Sequence, residues 1–231
     1  MNDYILKFEK EFEKLCYGKS EDEVFNHFLD IIICCLSGQQ YEDEYLAIIG
    51  IYSKDKITGF CDLFAELILI MDNDGNGLLD YLGEFFTKHI TKGRNGQFFT
   101  PIHVCDLMAA ITIEQGMTSK TIQDPACGSG RMLLSAAKIE RNNYFFGADI
   151  DNRCCKMTAI NMCLNGLEGE VAWMNSLSQE HWGGFSVKKK FGLIPTIKKL
   201  NAGEGILANK KVSNEKVEDT IKVSQTKFEF D

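Results

Sequence analysis

A single seven-residue turn, Asp124-Pro-Ala-Cys-Gly-Ser-Gly130, limits the folds open to this chain. It sits between a strand candidate, Thr121-Ile-Gln-Asp124, and a helix candidate from about Ser129 to Arg141. A glycine-rich passage from strand to helix lets a ligand come close to the backbone and presents the first amides of the helix. The alternation continues with Tyr144-Phe-Phe-Gly-Ala-Asp149, a helix from about Asn152 to Leu164, and Val171-Ala-Trp-Met174. Strands and helices alternating at this spacing predict an α/β fold with a parallel sheet and right-handed crossovers.

The flanks read differently. Over residues 1–90, Phe25, Phe28, Leu29, Ile32, Ile33 and Leu36 recur at three- and four-residue steps, as do Phe60, Leu63, Phe64, Leu67, Ile68 and Met71. That is the spacing of helical faces, and no alternating strand pattern of any length accompanies it. Polar, glycine-rich Thr91-Lys-Gly-Arg-Asn-Gly96 marks the expected boundary. Thr100-Pro101 then predicts a helix start, with threonine as N-cap and proline in the first helical position. Residues 186–231 carry Lys188-Lys-Lys190, Lys198-Lys199 and Lys210-Lys211 with few large apolar side chains. They are expected to be a basic, partly ordered tail. Its ending, Phe228-Glu-Phe-Asp231, is a short hydrophobic segment suited to an edge strand or a partner.

Composition removes several classes of protein. No apolar run approaches the roughly 18 residues of a membrane span, the longest being Ile31–Leu36. Acids among the first apolar residues exclude a secretory signal, so the nine cysteines imply a reducing cytoplasm. None is spaced C-x-x-C, and the adjacent pairs Cys34-Cys35 and Cys154-Cys155 suit neither zinc nor an easy disulfide. Net charge is −11 over residues 1–90, −1 over 91–180 and +4 over 181–231. The average opposes nucleic-acid binding while the tail permits it. Asp72-Asn-Asp-Gly-Asn-Gly-Leu-Leu-Asp80 imitates the start of a calcium-binding EF-hand loop. Its twelfth position, which should be a bidentate glutamate, is Gly83, so the stretch reads as a polar turn between helices.

Two ligand types use a turn like Asp124–Gly130: a dinucleotide, through its pyrophosphate, or S-adenosylmethionine, through its amino-acid end. The dinucleotide fingerprint wants glycine or alanine three places after Gly130, where this chain has Leu133. Asp124 would repel a pyrophosphate and could pair with an ammonium. Asp149, 19 residues beyond Gly130, ends the next strand, where a carboxylate accepts hydrogen bonds from both ribose hydroxyls. Ile150 beside it can pack on an adenine face.

With these residues in place, the stretch from about Asp80 to Gly184 resembles the amino-methyltransferases of DNA modification. It is most similar to the N6-adenine DNA methylases akin to the modification subunits of type I restriction-modification systems. The matching blocks are Asp80-Tyr-Leu-Gly-Glu-Phe85, Gly96-Gln-Phe-Phe-Thr-Pro101, Asp124–Gly130, Gly147-Ala-Asp-Ile-Asp151 and Asn175-Ser-Leu177. The resemblance implies a Rossmann-like S-adenosylmethionine-dependent methyltransferase fold, here with an incomplete sheet. It divides the chain into a helical N-terminal domain (1–90), a cofactor-binding domain (91–185) and the basic tail (186–231). It implies that Phe99, Thr100 and Pro101 line the methionine end of S-adenosylmethionine and Asp124 meets its ammonium. Ala126, Gly128 and Gly130 would allow close approach, Asp149 would hold the ribose and Ile150 the adenine. Asn175 stands where the family often has an aspartate that accepts from the adenine amino group. The implied partners are DNA and a separate specificity or catalytic subunit, with no membrane and no metal.

The family's motif of Asn, Asp or Ser followed by Pro-Pro and an aromatic residue accepts the two hydrogens of the target amine and stacks on the flipped base. This chain has three prolines, Pro101, Pro125 and Pro195, with no two adjacent. Pro195 follows Ile194, whose side chain accepts no hydrogen bond. No catalytic residue is therefore assigned. An inactive cofactor-binding relative, serving as a binding or regulatory module, stands beside the enzyme as an alternative.

Overall fold

Helices come first because the early residues carry their large side chains on three- and four-residue steps. The computed structural model describes residues 2–91, 99–190 and 194–208. Within them α1 (Asn2–Leu15), α2 (Glu21–Cys35), α3 (Glu42–Ile49), α4 (Lys54–Asp72) and the short α5 (Tyr81–Phe85) form a helical region. Ser20 caps α2 by accepting from the Glu23 amide, and three acids in its first turn oppose the helix dipole. α4 stops at Asn73, which adopts the left-handed conformation common at helix ends. The buried stripe of α4 is Phe60, Leu63, Leu67, Ile70 and Met71, whereas Ile68, expected on that face, is 45% exposed. α5 continues as a π-helical turn, Phe86–Thr91. Phe85 anchors the junction, meeting Phe8 at 5.0 Å and Phe12 at 4.8 Å edge to face.

The α/β part follows in the expected order: α6 (Ile102–Thr112), β1 (Thr121–Asp124), α7 (Arg131–Ile139), β2 (Tyr144–Asp149), α8 (Asn152–Leu164) and β3 (Glu168–Asn175). β1, β2 and β3 are parallel neighbours. α6 begins one residue later than predicted, with Pro101 rather than Thr100 at the N-cap and no side-chain capping bond.

The tail expectation is corrected by two further strands. β4 (Glu180–Lys190) and β5 (Ile194–Asn201) extend the sheet antiparallel, giving the order β1-β2-β3-β4-β5. The boundary expected between residues 185 and 186 falls inside β4. Lysine content concealed these strands. Val187 and Ile197, opposite each other, are fully buried, while Lys188–Lys190 and Lys198 are exposed. The outer side of β5 is held by the α2–α3 connection: Ile197 N donates to Leu36 O at 3.0 Å and Lys199 N to Tyr41 Oη at 2.8 Å. Lys92–Gly96 of the predicted boundary and the segment from Asn209 onward, including Lys210-Lys211 and Phe228–Asp231, lie outside the described residues.

One apolar cluster runs from Phe8 and Phe25 through Leu133, Phe145 and Ile160 to Val187 and Ile197, so the helices and one face of the sheet share a core. α8 is the contact between them. Its Lys156 meets Asp30 at 2.6 Å, its Arg153 meets Asp22 at 2.6 Å, and Asn165 just past its end accepts from Leu78 N at 2.6 Å. A smaller cluster, Phe146, Ala148, Ala172, Met174 and Leu207, occupies the opposite face.

Candidate functional site

The turn after β1 is fixed from behind. Cys127 N donates to Ala148 O on β2 at 2.9 Å, and Thr158 Oγ1 on α8 donates to Gly128 O at 2.8 Å. Burial pushes the Cys127 thiol well up, so it packs as a neutral side chain. Gly128 and Gly130 adopt φ values of 53° and 87°, a region that favours glycine. A Cβ on Gly128 would lie 3.0 Å from the Phe99 ring, and one on Gly130 would lie 2.9 Å from Thr158 Cγ2. Phe99 is itself stacked on Phe86 at 5.8 Å.

Two carboxylates flank the turn. Asp124 accepts from Ala126 N at 3.0 Å. Asp149 accepts from Gly128 N at 2.9 Å through one oxygen and from Asp151 N at 2.8 Å through the other. Burial pushes both above the usual carboxylate range. Among the described residues neither has a cationic partner. Two half-buried carboxylates beside a glycine pair and a helix N-terminus fit a ligand bearing an ammonium and hydroxyls rather than phosphate.

A cavity of about 720 Å³ opens beside the turn and is lined by Phe99, Thr100, Asp124, Ala126 and Gly128. The other predicted residues, Pro101, Gly130, Asp149, Ile150 and Asn175, are not among those that line it. Gly130 is the N-cap of α7 and Pro101 that of α6. Asp149 reaches the turn through Gly128 N, while Ile150 is 61% exposed and its carbonyl accepts from Trp173 Nε1 at 3.0 Å. The oxygen of Asn175 accepts from Leu177 N at 3.0 Å and Ser178 N at 3.2 Å, so both its acceptor directions close the turn after β3. Ser176 Oγ donates to Pro125 O at 2.6 Å, tying this turn to the glycine-rich one.

Sequence reasoning missed a buried polar knot beneath the site. Asp80 caps α5 through Gly83 N at 2.9 Å and accepts from Ser129 Oγ at 2.5 Å, Arg131 Nε at 2.9 Å and Asn161 Nδ2 at 2.9 Å. Arg131 Nη1 also donates to Thr100 O at 3.1 Å, and Asn161 Nδ2 to Ser129 O at 2.8 Å. Three segments, at α5, the glycine-rich turn and α8, are thereby tied at one carboxylate, and Arg131 links Thr100 to them. The only signals were Asp80 at the head of its block and Arg131 directly after Gly130. In the stretch that imitates a calcium loop, Asp80 faces this network and Asp72 accepts from Gly75 N as a turn residue.

Comparison with known proteins adds the family. The sequence profile of the family described as N-6 DNA Methylase matches residues 78–230. The chain is similar to the type I restriction enzyme MpnII methylase subunit of Mycoplasma pneumoniae, 32% identical over 94 residues, 38% of this chain and 17% of that protein. It is similar to the type I restriction enzyme MjaVII methylase subunit of Methanocaldococcus jannaschii, 24% identical over 140 residues, 55% of this chain and 23% of that protein. Among solved structures it is similar to the methyltransferase subunit of a type I restriction-modification system from Streptococcus thermophilus. There the TM-score is 0.37 at 21% identity, covering 69% of this chain and 36% of that one. The chain thus spans about a fifth of the length of these two curated relatives.

Proposed function

The chain belongs to the N-6 DNA methylase family, and from that premise we propose that it binds S-adenosylmethionine for methyl transfer to the exocyclic amine of adenine in DNA, as part of a restriction-modification methyltransferase. The observation that carries the proposal is the turn at Gly128. Its amide is held by Asp149, its missing Cβ faces Phe99, and the carboxylate of Asp124, held by Ala126 N, stands beside it.

The cofactor supplies an electrophilic methyl group on a sulfonium. Asp124 takes its ammonium, with Phe99, Thr100 and Pro101 bounding the methionine end. Ala126, Gly128 and Gly130 leave room for close backbone approach. Asp149 accepts from ribose hydroxyls, Ile150 offers an apolar surface to adenine, and Asn175 offers its NH2 to a ring nitrogen. DNA is the proposed macromolecular ligand, met in part by the lysines of β4 and β5. A specificity or catalytic subunit is the proposed protein partner. No helix among the described residues is long and apolar enough to cross a membrane, and the proposed location is cytoplasmic.

The prolines favour a second reading, in which the chain binds the cofactor without transferring its methyl group. Pro195 lies within β5 opposite Lys189, and the 231 residues hold no Pro-Pro pair. Acceptors for the target amine therefore have to come from outside these residues, or transfer does not occur. Titration calorimetry is expected to show S-adenosylmethionine binding that Asp149→Ala weakens at least tenfold. Absence of binding by the unaltered chain overturns both readings. Labelled-methyl transfer to DNA separates them, since transfer by the purified chain alone rules out the second.

A further inference from the structure

Beyond β5 the chain folds back over the sheet. Asn201 N donates to Glu204 Oε2 at 2.9 Å and Glu204 N to Asn201 O at 3.0 Å, which closes a tight turn at the end of the strand. Residues 202–208 then lie as a strap on the face that carries the smaller apolar cluster. Gly203 N donates to Nδ1 of His181, the second residue of β4, at 3.2 Å. Ile206 N donates to Glu170 Oε2 on β3 at 2.6 Å. Leu207 packs with Phe146, Ala148, Ala172 and Met174. Gly205 permits this close approach. Its φ is 97°, and a Cβ there would stand 2.9 Å from Glu170 Oε2 and 3.0 Å from Leu200 Cδ1.

The bond from Gly203 depends on a proton. An imidazole nitrogen accepts only when it carries no hydrogen, so His181 holds Gly203 as a neutral ring with its hydrogen on Nε2. A proton taken from solvent onto Nδ1 turns that acceptor into a donor, and two N–H groups then face each other. Glu170 on β3 favours the charged ring, but burial outweighs it and holds His181 below the ordinary value of 6.5. On the strap, Glu204 is engaged with Asn201 N and is acted on by Lys198 of β5. Met174, opposite His181 in the ladder, is uncharged. Opening the strap returns the ring to water and to its ordinary value. The open form therefore takes up a proton more readily than the closed one. Closure is fully favoured above the ordinary histidine range and weakens as the pH falls through about 6.5.

We propose that residues 202–208 form an acid-released strap, latched by neutral His181 through Gly203, whose opening uncovers the apolar cluster at Phe146 and Met174. What the glycine-rich turn binds has no bearing on this latch. Amide hydrogen exchange followed by NMR on the intact chain tests it, with each rate divided by the intrinsic rate at the same pH. Protection at Gly203 and Ile206 is expected to fall together, by about threefold or more, between about pH 7.5 and about pH 5.5, with the β3 amides unchanged. His181→Asn, whose Oδ1 accepts in place of Nδ1 and does not titrate, is expected to protect both amides equally at the two pH values. His181→Phe is expected to lose that protection at both. Constant protection in the unaltered chain overturns the proposal. So does a fall at Gly203 alone, or a His181→Asn variant that keeps the pH dependence. Should either variant also lose β3 protection, the ring nitrogens of the unaltered chain decide: nitrogen shifts placing the hydrogen on Nε2 at about pH 7.5 support the latch, and shifts placing it on Nδ1 overturn it.

Discussion

Asp80 shows how much one side chain can organise. Removing it strands Arg131, Ser129 and Asn161 in a buried setting, and breaking a buried pair from one side costs about 3–5 kcal/mol. Asp80→Ala is therefore expected to lower stability by about that amount in denaturant titration and to weaken ligand binding through the displaced turn. Gly128→Ala is expected to behave differently. It forces alanine into a left-handed conformation against Phe99, costs about 1–3 kcal/mol, and abolishes calorimetric binding while the fold persists. The flanking carboxylates set a pH dependence. Burial raises Asp124 and Asp149, so each stays protonated to a higher pH than an exposed aspartate. Affinity for an ammonium-bearing ligand should then begin to fall, on acidification, above the usual aspartate range near pH 3.8, and Asp124→Asn should flatten that limb. The glycines and Asp149 were legible because turn chemistry is local and their spacing is short. Asp80 was not, because its partners lie 49, 51 and 81 residues away and nothing in its neighbours announces them.

Among the elements, β4 and β5 were the ones the sequence hid. Their lysines satisfy a composition test for a loose tail, yet every second position that faces the core is apolar where it counts. Ile197→Ala is expected to cost about 2–5 kcal/mol, as for a filled core position, and Lys198→Ala less than about 0.5 kcal/mol. Equal, negligible effects in thermal unfolding would show these residues to be outside the fold. The parallel part was readable because each strand candidate is bounded by a turn and followed by helical periodicity. α8 matched from Asn152 to Leu164, with Asp151 accepting from Arg153 N as its cap. The start of α6 shifted by one residue because Pro101 takes an extended ψ of 141°, which places it before the helix rather than within it. Thr100 is left exposed beside the site, with its carbonyl on Arg131.

At the scale of the whole molecule, the expected separation between a helical unit and a ligand-binding unit gives way to a common interior. Phe8, Phe25, Phe85, Leu133 and Val187 belong to one cluster, so the chain should melt in a single cooperative step with coincident helix and aromatic signals. Periodicity revealed that the early helices had buried faces but could not reveal that α8 and the sheet were what they were buried against. Pairings such as Asp30 with Lys156 connect positions with no local relation. The shared interior has a consequence for genetics. A position in α1 or α2 that never approaches the turn still decides what fraction of chains possess a folded turn, and apparent affinity scales with that fraction. A screen for variants that fail to retain the ligand would accordingly return substitutions at Phe8, Phe25 and Phe28 alongside Asp149. The two groups would part on cooling, where the first recovers binding as the folded fraction rises and the second does not.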